Sequence, residues 1–184
     1  MKKYVLIATA LFLSSVVVNA QKSNQDLSSQ LKGSKIKLTY DAGSGSSKLM
    51  GVAENFSDSE AKNAKLMAMN FAVGFFYPGQ TLEHAPEQIM LTFWVMSKKP
   101  QFAEKHSLTV FAGGEEFEIG DARYAARARE DMEYLNFLID RNVLTKIASN
   151  SNVQFKLGDA NFTFTRDQMR MFADLLVAAD LSGN

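Results

Sequence analysis

Two histidines and no cysteine leave this chain a narrow chemical repertoire. Catalytic zinc takes about three protein ligands and structural zinc four, drawn mainly from Cys and His at close spacing. The nearest approach is His84-Ala85-Pro86-Glu87. There the proline opposes the helix that would bring His84 and Glu87 onto one face, and the neighbouring Glu83 reads as part of an exposed loop. His106, beside Glu104 and Lys105 just before a strand-like run, has the surroundings of an ordinary surface histidine. The sequence thus assigns no catalytic residue, no metal ligand and no cofactor.

Nucleophile motifs fare no better. Ala42-Gly43-Ser44-Gly45-Ser46-Ser47-Lys48 is rich in Gly and Ser, yet it lacks the Gly-x-Ser-x-Gly of a nucleophile elbow and the Gly-Lys-Ser/Thr ending of a phosphate loop. Ser29 to Lys32 and Ser59 to Lys62 match Ser-x-x-Lys without its partner motifs. Glu115, Glu116, Glu118 and Asp121 form an acidic cluster, but Glu116 and Glu118 alternate with Phe117 and Ile119, which places them on the solvent face of a half-buried strand. The spacing of a helix-loop-helix calcium site is missing there. Arg123, Arg127 and Arg129 are followed by Glu130, Asp131 and Glu133, a mixed-sign pattern expected of a solvated, salt-bridged surface. The sharper alternative is a partner bearing carboxylates or phosphates. Asn55-Phe56-Ser57 and Asn161-Phe162-Thr163 match the N-glycosylation pattern, the second within a predicted strand.

Residues 1–20 read as a signal peptide: Lys2 and Lys3 form a basic start, Tyr4 to Leu13 an apolar run, and Val18-Asn19-Ala20 a cleavage triplet. Cleavage is expected between Ala20 and Gln21. Loss of Lys2 and Lys3 takes the 20 basic and 20 acidic residues to a net charge of −2, which is no nucleic-acid footprint. Neither disulfides nor a lipid anchor on cysteine are open to this chain. The expectation is a soluble periplasmic or secreted protein with no membrane span after cleavage; the alternative is an uncleaved anchor.

The elements that must position any site are read from periodicity. Residues 21–33 are polar apart from Leu27 and Leu31 and are expected to form a flexible leader ahead of a single globular domain over 34–184. Ile36, Leu38 and Tyr40 alternate as one strand face. Ser57 and Glu60 have capping-box spacing, predicting a short helix from Asp58 and then a strand over about 65–77, in which Met67, Met69, Phe71, Val73, Phe75 and Tyr77 form the large set. One long helix is the alternative. Gln88 to Met96, almost unbroken apolar sequence around Thr92, predicts a central strand covered on both faces. Leu108 to Ala112 and Phe117 to Ile119 flank Gly113-Gly114 as a hairpin. Ala125, Ala128, Met132, Leu135, Ile139 and Val143 fit one helical stripe and Leu135, Phe137 and Ile139 a strand face, which periodicity does not settle; the reading taken is a strand over 132–139 and a helix over 141–149, capped by Asp140 and closed by Asn150. Val153, Phe155 and Leu157 pair across Gly158-Asp159 with Phe162 and Phe164, and Thr165 with Gln168 caps a final amphipathic helix near 166–180. Runs of strands with few helices point to α+β with a mainly antiparallel sheet.

Two features bear on function. The last helix has an apolar arc of about 240°, wider than a sheet needs, so Met171 and Leu175 on its flank are covered either by the chain or by a partner, self-association included. Phe and Met are abundant in the strands, where a closed sheet could hold an apolar ligand, with Trp94 as its reporter. Export without a catalytic motif leans away from an enzyme, toward an exported soluble domain that binds a protein or cell-surface component. The alternatives are a carrier of a small apolar ligand in a Phe/Met-lined cavity and a hydrolase whose carboxylates assemble in space.

Overall fold

The structure, a computed structural model, describes residues 22–51, 54–56, 58–127 and 131–180. The expected signal segment with its Ala20/Gln21 junction, the capping residue Ser57 and the basic–acidic residues Arg129 and Glu130 lie outside the described residues. In chain order the first half contains β1 (Lys22–Ser23), α1 (Asn24–Gln30), β2 (Ile36–Asp41), β3 (Ser46–Gly51), β4 (Glu54–Asn55), α2 (Asp58–Asn63), β5 (Ala68–Pro78), β6 (Thr81–Leu82) and β7 (Gln88–Met96). The second half contains β8 (Ser107–Ala112), β9 (Glu115–Asp121), β10 (Arg123–Arg127), β11 (Met132–Asp140), α3 (Arg141–Ala148), β12 (Val153–Leu157), β13 (Ala160–Thr163) and α4 (Arg166–Ala179). The class is α+β with antiparallel sheets. No helix among the described residues is long and apolar enough to cross a membrane.

Seven strands form the larger sheet, in the order β10-β11-β7-β5-β3-β2 with β4 added against β5; β13-β12-β8-β9 form the smaller one, and β1 pairs β6. Lys65 takes a left-handed conformation between α2 and β5, so the chain turns there and no long helix forms. The alternation after it sends Met69, Phe71, Val73, Phe75 and Tyr77 inward, while Met67 precedes the strand and is exposed. Gly113 and Gly114 both have positive φ at the β8–β9 turn, as a two-residue hairpin of matching twist requires. Asp140 stands at the N-cap of α3, but its carboxylate makes no capping bond and instead accepts from Gln88 Nε2 at 3.2 Å. Asn150 closes the helix as expected, with Nδ2 donating to Lys146 O at 2.8 Å.

The two sheets and α4 share one core. Phe71 and Phe93 of the larger sheet, Phe155 and Phe162 of the smaller one, Phe172 of α4, and Phe56 and Phe164 form a cluster with ring centroids 4.5–6.3 Å apart. α4 starts from a capping box in which Thr165 N donates to Gln168 Oε1 at 2.7 Å and Gln168 N to Thr165 Oγ1 at 3.3 Å. It then buries Met169, Phe172 and Leu175, each worth about 1.5–3 kcal/mol of removed apolar surface.

Two expectations are corrected. The segment read as a flexible leader forms β1 and α1: Ser23 and Asp26 make a reciprocal capping box, and Leu27 is 0% exposed. Asn24 Nδ2 donates to Ser47 Oγ at 2.9 Å, Ser47 Oγ to Gly79 O at 2.7 Å, and Tyr77 Oη to Asn24 Oδ1, which ties α1 to the larger sheet. Low average hydrophobicity misled because two leucines four apart are enough to seat one short helix. Likewise Met171 (1% exposed) and Leu175 (0%) are core, not an interface. The wide apolar arc of α4 is covered within the chain by α3 and by β3, where a Cβ on Gly51 would collide with Met171 Sδ.

Candidate functional site

The residues singled out for chemistry do not converge. His84 is exposed. His106 stacks on Tyr124 with centroids 5.6 Å apart, its Nδ1 lying 3.2 Å from Phe102 O, so its ring is used in packing. Glu115, Glu116, Glu118 and Asp121 are spread along exposed positions of β9, with Lys146 3.9 Å from Glu115. No group of three or more His, Cys, Asp or Glu among the described residues could hold a metal ion. Asn161 is exposed on β13.

Glu133 departs from its expected solvated surface. It points inward from β11 and is 2% exposed. Its Oε2 accepts from Gln101 N at 2.9 Å and Ser97 Oγ at 3.1 Å, and its Oε1 from Phe102 N at 2.9 Å and Tyr124 Oη at 3.2 Å. Four donors around one carboxylate satisfy it, as a buried anion demands. Burial and the adjacent carboxylate push the Tyr124 phenol up from its usual range. The period-two alternation with Leu135, Phe137 and Ile139 was the available signal, since it places Glu133 on the inward face. Its role is to fasten the 97–102 loop.

The feature with an unspent capacity is the other side of the larger sheet. An apolar strand such as β7 ordinarily lies between two covering layers. Here Ile89, Leu91, Phe93 and Val95 are buried on the inner side, whereas Met90, Trp94 and Met96 are only half-buried on the outer side, correcting the expected two-sided cover. Register aligns their neighbours: Leu138 opposes Met90, Tyr134 opposes Trp94, and Met132 opposes Met96. Across β7 from these stand Gly74, Asn70 and Ala68 of β5. Gly74 has no side chain to obstruct Met50, and a Cβ there would collide with Met50 Sδ, so Met50 lies over the β5 backbone. Leu138 is 62% and Phe76 58% exposed. Among the polar members of this face Thr92, itself 4% exposed, donates from Oγ1 to Asn136 Oδ1 at 2.7 Å, and the Arg127 guanidinium lies 5.2 Å from the Tyr134 ring centroid, whereas Asn70 Oδ1 is buried without a hydrogen-bond partner. The result is a largely apolar, methionine-rich surface spanning several strands, with Phe76 and Leu138 as its exposed members.

Comparison of the chain with protein-family models, with curated proteins and with solved structures finds no match.

Proposed function

We propose that this is an exported, non-enzymatic binding domain whose contact surface is the outer face of the larger sheet. One observation carries the reading: β7 and β11, central to the sheet, present Met90, Trp94, Met96, Met132, Tyr134 and Leu138 away from the core. Free energy is gained whenever such surface leaves water, at about 25 cal/mol per Å² of apolar area. The remaining arrangement favours binding over carriage or hydrolysis. The space between the sheets, where a carrier would keep its ligand, is filled by the phenylalanine cluster. The buried carboxylate of Glu133 is engaged by loop donors.

The chain's lack of cysteine permits a clean test. Leu138→Cys places an environment-sensitive label on the face, and Val177→Cys, on an exposed position of α4, provides the control. Addition of the cell-envelope fraction should shift the emission of the Leu138 label to shorter wavelength and leave the Val177 label unchanged. Equal responses, or none at Leu138, would refute this face as the contact surface.

A further inference from the structure

We propose that the occupant of this face is an anionic lipid surface, met with Met, Trp and Leu side chains at the headgroup boundary and with basic side chains along both edges. The inference rests on the reading that this face is the contact surface and adds the chemistry of what it contacts.

Charge distribution carries it. Register puts Lys37 opposite Met50 and Lys48 opposite Phe76, both lysines exposed on the outer side at the β2–β3 edge. At the opposite edge Arg123 stands against Asn136 and carries the edge charge, while Arg127, against Met132, is engaged over the Tyr134 ring. The acidic residues among the outward positions of these strands are Asp41 and Asp140, both at one end; Glu133, on the same strands, points inward. The middle of the face is therefore uncharged, with positive charge on two opposite sides.

Geometry then selects among occupants. Five inter-strand spacings of about 4.8 Å separate β2 from β10, so the two basic edges lie about 24 Å apart. A single small anion cannot reach both. A layer of anionic headgroups offers negative charge at both edges while accepting apolar side chains between them, the pairing by which interfacial proteins hold anionic bilayers. A second copy laid face to face would bring basic edges near basic edges, which opposes that occupant. The acidic run Glu115, Glu116 and Glu118 sits on β9 of the other sheet, off this face, so repulsion from the same lipid would turn the face toward it.

The experiment uses the chain from Gln21, since the whole buried core lies between Leu27 and Ala179 and the apolar residues 4–13 would bind lipid by themselves. Vesicles of phosphatidylglycerol and of phosphatidylcholine are titrated while emission of the single tryptophan, Trp94, is followed and co-sedimentation is measured. Phosphatidylglycerol should sediment the protein and shift Trp94 emission to shorter wavelength. Phosphatidylcholine should not, and added salt should release the protein. Lys48→Glu with Arg123→Glu should weaken binding roughly a thousandfold, four charge units having changed at the surface. Phe76→Asp with Leu138→Asp should remove the Trp94 shift without moving the denaturant midpoint, both positions being exposed. If the Leu138 label responds to the envelope fraction but phosphatidylglycerol binds no protein, the lipid assignment is overturned and the contact-face reading stands. Binding that survives the two charge reversals, or a dimer that shields the Leu138 label without vesicles, also overturns it. A Leu138 label silent toward both would remove the face itself.

Discussion

Replacing Glu133 probes how a buried anion organises the loop after β7. In Glu133→Ala, Phe102 N–H loses an acceptor 2.9 Å away in a buried setting, where an unsatisfied donor costs about 1–3 kcal/mol. Gln101 N–H is part-buried and can recruit water, so its loss counts for less. Ser97 Oγ has one proton and a second acceptor in Lys99 O at 2.8 Å, so it can redirect its bond. Tyr124 Oη, at 3.2 Å, is the weakest of the four. Lost packing adds to the unpaired Phe102 donor, and the expected total is about 2–4 kcal/mol, a large part of the 5–15 kcal/mol that holds a domain together. Glu133→Gln keeps the shape but turns a donor NH2 toward two of the four donors, and should cost about 1–3 kcal/mol. Urea denaturation measures both, with Glu116→Gln on the solvent-facing side of β9 as a control expected to stay within about 0.5 kcal/mol. Amide exchange at Phe102 should quicken in both Glu133 variants while exchange in β12 stays slow. An unchanged midpoint in Glu133→Ala, or protection of Phe102 that survives it, would refute the clamp.

The remaining predictions concern the two corrected segments. Met171→Lys with Leu175→Lys buries two ammonium groups among α3, α4 and β3, each costing several kcal/mol; the variant should lack cooperative unfolding by circular dichroism, and a native-like melt would show that flank to be surface. Hydrogen bonds from the Ser23 hydroxyl and then the Ser23 amide hold the Asp26 carboxyl below the usual aspartate range. Its stabilisation of α1 is therefore present above the unfolded aspartate value, about 3.9, and is lost as pH falls through the lower folded value. Asp26→Asn should raise protease sensitivity in residues 22–31 at neutral pH and flatten the acid dependence of that cleavage.

Local pattern determined the elements in which one physical rule dominates. Gly113-Gly114 between alternating strands has few solutions besides a hairpin, because both positions need positive φ. Thr165 with Gln168 and the apolar spacing behind them specify where α4 starts and which face it buries. Alternation at β12 likewise sorts inward from outward residues without knowledge of their partners. What composition and periodicity could not supply was the identity of the neighbour. Leu27 and Leu31 look too few to fold a segment until β1 pairs β6 and Asn24 meets Ser47 and Tyr77. Glu133 resembled its charged sequence neighbours; only the return of the 97–102 loop surrounds it with donors. The same limit decided the candidate surface. An apolar run at β7 announces burial on two sides, but burial is a property of layers, and the helices and the smaller sheet stack on one side of the larger sheet. Met90, Trp94 and Met96 are consequently left half-exposed by packing that no local spacing encodes, and the basic residues at the two edges come into line with them only when six strands pair in register.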